Sequence, residues 1–362
     1  MPGARIHSSM IQTAVVMALA IGSVATGSRL LAGDATRFEY TERRLGVDVN
    51  LTLYADQESV ANDAAAAAWR RIDALNLVLS DYDENSEAMR LCRTAQPGKP
   101  VAVSQDLWNT LRTARRFSEL TDGAFDVTAG PLTKLWRRAR RKQELPDPEQ
   151  IAETRRHVGD KFVRFHPETR SIELAREGMQ LDFGGIGKGL IAQEAFETLK
   201  SHGCRRALVA IAGDIVAGDP PPDAAGWKVG IAPLDKPDGP PSRHLLLKNC
   251  AASTSGDAFQ FVEINGVRYS HFVDVATGVG LTRRCSVTVV APDGATADGL
   301  ATSACLLGPD RGLKLIDATP GAAGLYVVGA DGGLVATPSV RLNDWLAPEQ
   351  ACGSARAAIV QE

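Results

Sequence analysis

Leu181-Asp182-Phe183-Gly184-Gly185-Ile186-Gly187-Lys188-Gly189 joins an extended apolar segment to a helix. Before it, Phe162 to Leu181 alternates apolar and polar residues about a turn at His166-Pro167-Glu168-Thr169, the pattern of a β-hairpin. After it, Leu190, Ala192, Ala195, Phe196 and Leu199 recur near helical spacing, and Gly203 supplies a stop. A glycine-rich link of this kind lets backbone N–H groups approach an anion, because the first four amides of a helix have no intrahelical partner. The stretch therefore reads first as a phosphate-binding loop. It is neither of two familiar versions: a Walker loop needs Gly and Ser or Thr where Asp182 and Gly189 stand, and a dinucleotide fingerprint does not fit Gly185-x-Gly187-x-Gly189.

Working outward, Ala207–Ile211 has the composition of a short buried strand, so strand, loop, helix and strand follow one another. If the two strands were parallel in one sheet, the crossover would be right-handed, and Ala212-Gly213-Asp214 would lie at a strand end where open α/β sheets place ligand contacts. Upstream, strands are expected between Phe38 and Tyr54, and Val60, Ala64, Ala68, Ile72, Leu75 and Leu79 mark a helix. The acidic stretch Ser80 to Glu87 reads as a solvated loop. Ser104 is an N-cap for a helix carrying Leu107, Leu111, Ala114 and Phe117, and Asp147 with Pro148 starts another. Downstream, Asn265-Gly266 suits a type I′ hairpin turn within 261–269, a strand spans Ser286–Ala291, and a helix spans Thr296–Leu307.

The 362 residues, 44% apolar and 23% charged, are enough for one large or two ordinary globular domains. A formal charge of −3 leaves no global field for nucleic acid or anionic lipid, so any anion site must be local. The basic run Arg137-Arg138-Ala139-Arg140-Arg141-Lys142 has no interleaved aromatics and reads as a solvated helix face, with steering of an anionic ligand or acidic partner as the alternative. Residues 1–33, with an uncharged run from Ile11 to Ala25 ending in Ser23-Val24-Ala25, read as a cleaved export signal; an uncleaved anchor is the alternative. Residues 348–362 read as a mobile tail, leaving 34–347 as the folded unit, one domain or two lobes around a cleft. Six cysteines without a C-x-x-C pair argue against zinc, iron–sulfur and thioredoxin-like chemistry.

Further residues carry chemistry by type and spacing. Asp298 and Thr302, one helical turn apart, project oxygens from one face and suit a hard cation such as Mg²⁺, though such a pair is common without a metal. His271 is a candidate general base that Asp274 could orient, against the commoner structural role of a lone histidine. Thr121 to Thr128 places Asp122 and Asp126 around Gly123 and Phe125, either a polar turn or a loop presenting amides and carboxylates. Ser255 lacks a G-x-S-x-G setting, which disfavours serine-hydrolase chemistry.

Taken in order, Thr121–Thr128, Asp182–Gly189, Gly213-Asp214-Ile215, Thr254-Ser255-Gly256-Asp257, His271-x-x-Asp274 with Thr277-Gly278, and Ala297-Asp298-Gly299-Leu300-Ala301-Thr302 closely resemble the FAD:protein FMN transferase (ApbE) family, over roughly 45–345. The resemblance implies an α/β (α+β) fold of the tunnelling-fold type, with mixed or antiparallel sheets and flanking helices. It implies FAD as substrate, Mg²⁺ on the diphosphate, and transfer of FMN to a Thr or Ser hydroxyl of an exported or membrane-associated redox protein, releasing AMP. By the same resemblance, Gly187 and Ala301 (through their carbonyls), Asp298 and Thr302 hold the metal, and His271 activates the hydroxyl. Asp122, Phe125, Asp126, Asp182, Gly184, Gly185, Lys188, Gly213, Asp214, Thr254, Ser255 and Gly256 lie along the FAD. Relatives often carry Gly-Gly-Asp at 212–214 and Asp-Pro at 274–275, where this chain has Ala212 and Val275. The competing readings are an FAD diphosphatase using the same site and a non-catalytic flavin-binding or delivery protein.

Overall fold

The computed structural model describes residues 35–236, 238–241, 243–330, 333–348 and 359–360. The expected leader lies outside these residues, as does the tail except Pro348 and the strand at Ile359–Val360. Strands β1 (Thr36–Arg44) and β2 (Val47–Ala55) form a hairpin, followed by helix α1 (Glu58–Leu79). Ala61, Ala64, Ala68, Ile72, Leu75 and Leu79 line the buried side of α1, while Val60, first in the expected repeat, is 40% exposed. Helix α2 (Glu87–Thr94) has no counterpart in the sequence expectations; it starts at Ser86, whose hydroxyl accepts from Met89 N–H.

After β3 (Val101–Ala102), α3 (Gln105–Leu120) starts at Ser104, as its cap chemistry requires, with Oγ accepting from Leu107 N–H at 3.1 Å. Helices α4 (Gly130–Lys142) and α5 (Pro148–Arg155) come next, the second capped by Asp147. The hairpin β4 (Val163–His166) and β5 (Ser171–Leu174) turns at Pro167–Thr169, and β3 completes a separate three-stranded sheet. Helix α6 (Gly187–Ser201) then leads to β6 (Ala207–Ile211) and β7 (Asp214–Ala217).

Here one expectation is corrected. The strands flanking the glycine loop lie in different sheets, and β6 pairs antiparallel with β2 and β7. The right-handed crossover rule therefore has no purchase, and Ala212-Gly213 is a two-residue hairpin turn rather than the open end of a parallel strand. Ala212 takes φ 53°, a left-handed conformation that costs an L-residue about 1–2 kcal/mol where Gly would bear no such strain.

The remaining strands are β8 (Trp227–Ile231), β9 (Arg243–Leu247), β10 (Cys250–Gly256), β11 (Phe261–Ile264), β12 (Val267–Ser270), β13 (Val273–Asp274), β14 (Val279–Gly280) and β15 (Cys285–Ala291). Helices α7 (Gly294–Leu307) and α8 (Pro309–Ala318) precede β16 (Ala323–Ala330), β17 (Gly333–Pro338) and β18 (Ile359–Val360). Nine strands form one antiparallel sheet in the order β1-β2-β6-β7-β10-β15-β16-β17-β18. Period-two alternation sends Val209, Ile211, Ala251, Val287 and Val289 to the face covered by α1, α3, α6 and α7. Leu208, Ala210, Ile215, Ala252 and Val290 face the other way, against the β8–β9 hairpin and Leu342. Both faces are buried, which is why these strands read as continuous apolar runs.

A third, smaller core joins Leu132, Trp136 and Ala139 of α4 to Val262, Ile264 and Val273. It holds a lobe of two hairpins, β11–β12 and β13–β14. The turn between β11 and β12 has Asn265 at φ 54° and Gly266 at φ 76°, as a type I′ turn demands. Of the six cysteines, Cys204, Cys250, Cys285 and Cys305 are buried and reduced, Cys92 is half-buried and reduced, and Cys352 is outside the described residues.

Gly189 is where α6 meets α7. A Cβ there would lie 2.1 Å from the Gly294 carbonyl oxygen and 2.6 Å from Asp298 Cβ. Since both neighbours are fixed in helical backbone, Gly189→Ala is expected to push the helices apart and lower stability by about 1–3 kcal/mol in urea unfolding. Stability unchanged within error would show that the contact does not set the helix spacing.

Candidate active site

Five chain segments meet at one end of the sheet: the loop 182–187 with the start of α6, the 212–214 turn, the end of β10, one face of α7, and the two-hairpin lobe. The loop is shaped by Asp182. Its Oδ1 accepts from Gly184 N–H at 2.8 Å, and its Oδ2 accepts from Thr133 Oγ1 at 2.7 Å and from the Arg137 guanidinium at 3.2 Å. Arg137 also reaches Asp81 at 2.5 Å and lies 4.4 Å from the Tyr82 ring centre. Burial and the neighbouring Asp182 charge push the Asp81 carboxyl above its ordinary range, against the pull of Arg137. The basic run is therefore not one solvated face: Arg137 is a brace under the loop. Its partners are distant in sequence, so charge patterning alone missed it; the only local signal was Thr133 and Arg137 one turn apart.

Beneath the loop, Phe125 is 3% exposed and packs against Phe117. A Cβ on Gly185 would meet Phe125 at 3.1 Å and Thr302 at 2.8 Å, so the loop rests directly on both residues. Phe125 is thus part of the floor and not a ring open to the cleft. Asp126 also serves structure: it accepts from Thr128 N–H and Oγ1 and from Asp160 N–H. Asp122, at φ 54°, lies at the surface beside Arg311 at 3.2 Å.

The other side of the mouth is a buried charge system. Lys188 Nζ lies 2.5 Å from Asp214, which also accepts from Ser253 Oγ at 2.6 Å. Burial opposes the ammonium charge, but Asp214 and Asp298 outweigh it and hold the Lys188 pKa above its usual range. Asp298, 1% exposed, accepts from Gly189 N–H at 3.0 Å. Burial first, then the Asp214 charge, raises its pKa to about 7, with Lys188 and the Gly189 N–H opposing. Thr302 Oγ1 lies 3.1 Å from Ser255 Oγ, Thr254 Oγ1 bonds Thr288 Oγ1 at 2.9 Å, and Gly213 O accepts from Thr254 N–H. Gly256 needs its missing side chain, because a Cβ would meet the Cys285 carbonyl at 2.8 Å. Among the described residues no three His, Cys, Asp or Glu side chains gather as a metal cluster. A cation here would take one carboxylate, one hydroxyl and backbone carbonyls, a donor set of hard-oxygen type. The under-compensated charge of Asp298 fits such a cation, and so does the seating of the loop on Thr302.

His271, between β12 and β13, is accessible from the cleft. Its Nδ1 faces the Gln260 carbonyl at 3.1 Å, and a carbonyl only accepts, so Nδ1 carries the proton and Nε2 presents the lone pair. Crowding of the ring by surrounding protein lowers its pKa from 6.5 to about 4, a shift that solvent works against because His271 is exposed; Arg140 and Lys188 add to this, while Gln260 and Asp257 oppose it. The expectation that Asp274 orients His271 is corrected. Asp274 accepts from Ala276 N–H at 2.9 Å and Thr277 Oγ1 at 3.0 Å, which closes its own turn, and Gln260 takes the orienting role. The loss of Pro at 275 leaves this turn closed by those bonds.

A helix-start amide and an ammonium held by buried carboxylates, hydroxyls beside them, and an exposed imidazole on the adjoining lobe suit an enzyme that transfers a group from an anionic ester. Sequence comparison agrees: the match to the ApbE family covers residues 45–326, and the chain belongs to that family. It is 30% identical over 329 residues to the FAD:protein FMN transferase of Treponema pallidum, covering 86% of this chain and 90% of the relative. It is 29% identical over 322 residues to that of Haemophilus influenzae, with the same shares. Among solved structures, a histidine-to-glycine variant of the flavin transferase ApbE from Vibrio cholerae superposes with TM-score 0.77 at 27% identity, covering 86% of this chain and 100% of that one. The apbe protein of Thermotoga maritima gives 0.76 at 28% identity, covering 86% and 99%.

Because Asp214 is buried, removing the Lys188 charge should leave an uncompensated carboxylate. Lys188→Met is expected to cost about 2 kcal/mol, less than a fully buried pair since the ammonium is partly solvated. Adding Asp214→Asn, which keeps an acceptor for Ser253, should recover part of it. A double-mutant cycle in urea with a coupling of about 1–3 kcal/mol is the expected result. Strict additivity would count against the pair.

Proposed function

We propose that this protein is an FAD:protein FMN transferase that links FMN to a Thr or Ser hydroxyl of an acceptor protein and releases AMP. The observation that carries the reading is the orientation of His271: Nδ1 is committed to the Gln260 carbonyl, which leaves Nε2 as the basic nitrogen of an exposed ring close enough to feel the Lys188 charge. In the reaction the acceptor oxygen attacks the FMN-side phosphorus of FAD, the bond from that phosphorus to the bridging oxygen breaks, and AMP leaves. The hydroxyl proton passes to His271 Nε2. The amides of Gly184, Ile186 and Gly187 are spent inside the loop on Asp182 and the Phe183 carbonyl, so those of Gly185 and Lys188, at the start of α6, are the ones offered to the diphosphate, a helix N-terminus being a natural seat for phosphate. Lys188 adds a positive charge held in place by Asp214. Tyr82, 79% exposed and backed by Arg137, offers a face on which a flavin or adenine ring can stack.

Mg²⁺ would be held by Asp298 and Thr302 with the carbonyls of Gly187 and Ala301, and would supply charge neutralisation at the diphosphate oxygens. The export reading of residues 1–33 supports an acceptor outside the cytoplasm, a membrane-associated or exported redox protein. No helix among the described residues is long and apolar enough to cross a membrane. Hydrolysis of FAD to FMN and AMP uses the same groups with water in place of the acceptor, and AMP release is its readout.

With FAD, Mg²⁺ and a Thr-bearing acceptor, the expected product is the acceptor carrying one covalent FMN, seen by mass spectrometry. His271→Ala should lower kcat by roughly 10²–10⁴ with little change in FAD affinity. Asp298→Ala and chelation of divalent metal should each abolish transfer, and added Mg²⁺ should restore only the chelated wild type. FAD turnover that is fast without acceptor and unchanged with it would replace transferase by hydrolase.

The pH profile follows from the His271 environment. The base acts when neutral, so rate is lost as pH falls through its pKa. With that pKa pulled from 6.5 to about 4, and with Mg²⁺ saturating so that Asp298, raised to about 7 in the metal-free protein, stays ionised, transfer should stay flat between about pH 8 and 5.5. An acid limb centred near 6.5 that disappears in His271→Ala would show an ordinary imidazole instead.

A further inference from the structure

The exposed cations of α4 are not used by the chemistry above. Arg137 is engaged with Asp81 and Asp182, Arg268 with Asp257, and Lys188 with Asp214. By contrast Lys134, Arg138, Arg140, Arg141 and Lys142 are exposed and form no side-chain ion pair among the described residues. The chain as a whole carries −3, so this concentration is local. Cations in a last helical turn gain a few tenths of a kcal/mol from the helix dipole. That accounts for Arg140, Arg141 and Lys142 but not for Lys134 and Arg138, which stand one turn apart and repel each other.

The position of this helix matters more than its charge. Trp136 Nε1 donates to the Gly278 carbonyl at 2.9 Å and its ring packs on Tyr269 at 5.1 Å, which ties α4 to the lobe that carries His271. Arg140 is exposed on the same helix, and its charge is felt at both His271 and Tyr82. On the other side of the same solvent face, α4 and α5 enclose a hollow of about 280 Å³ whose lining includes Lys134, Arg138, Gln150, Thr154 and His157. The acid in that lining, Glu153, is engaged with Arg156 and His157. The helix tied to the His271 lobe through Trp136 thus carries exposed cations, of which Lys134 and Arg138 line a side-chain-sized depression.

We propose that this face of α4 is the docking surface for the acceptor protein, and that it recognises an acidic segment of the acceptor next to the Thr or Ser that receives FMN. The proposal rests on the transferase reading, since only a protein substrate must bring a hydroxyl to His271. Carboxylates on the docked segment would pair with Arg138, Arg140 and Arg141 and raise the encounter rate in a salt-dependent way.

The test uses a 15-residue synthetic peptide with one Thr flanked by Asp and Glu, and its counterpart with Asn and Gln, each fluorescein-labelled. Binding to the full-length protein is followed by anisotropy, with and without FAD and Mg²⁺. The acidic peptide is expected to bind at least tenfold tighter, with affinity falling steeply between low and moderate NaCl. Arg138→Glu/Arg141→Glu should erase the preference while FAD binding, read by flavin fluorescence, stays within twofold and the melting temperature is unchanged. Arg140→Gln should weaken acidic-peptide binding several-fold. Equal binding of the two peptides, no binding of either, or a preference that survives charge reversal overturns the proposal. A loss of FAD affinity in the double variant equal to the loss of peptide affinity would assign the cations to FAD and also overturn it. The transferase reading fails differently: peptide preference persists, but no FMN appears on any Thr.

Discussion

A single backbone N–H holds the site together: Gly189, in the first turn of one helix, donates to the buried carboxylate of Asp298 on another. The bond forms only because neither Gly189 nor Gly294 has a side chain, so the two helix starts approach to van der Waals contact. Everything at the mouth inherits its position from this contact. The loop lies on Thr302 because α6 is held there, and Lys188, the residue before Gly189, reaches Asp214. A carboxylate accepting from a helix N-terminal amide is favoured by the same dipole that would favour a phosphate.

The carboxylates divide into two groups by environment. Asp126, Asp182 and Asp274 have their oxygens occupied by nearby N–H and O–H groups, so they shape turns and loops. Asp214 and Asp298 are buried with one ammonium between two negative charges, an arrangement short of positive charge. In a low-dielectric interior such a deficit is costly unless a cation or proton supplies it. Asp81 and Asp182 share the same shortage around Arg137, so the division rests on position as well as on charge, a distinction that residue type cannot make.

Much was legible locally. The caps at Ser104 and Asp147 and the turn at Asn265-Gly266 depend on neighbours within a few residues, and the structure places them where the pattern requires; the helix after the glycine loop begins at Gly187, three residues before the apolar period that starts at Leu190. Sheet membership was not legible. Two antiparallel hairpins and a strand–helix–strand crossover can share one apolar pattern, and pairing is settled by strands far away, here β2 for β6. The role of Arg137 was hidden for the same reason: its acids lie 56 and 45 residues away. His271 was visible as a candidate, but its orienting partner is a backbone carbonyl, which has no sequence signature.

By itself the sequence determined the kinds of group available and the local geometry that glycines, caps and apolar periods impose, enough to order six motifs along the chain. The tertiary structure alone decided which of those groups share a site. It separated Phe125 and Asp274, which support, from the exposed His271 and from the charge system of Lys188, Asp214 and Asp298. The reason is that function here depends on burial and on charge spacing, and both are properties of segments brought together from distant parts of the chain.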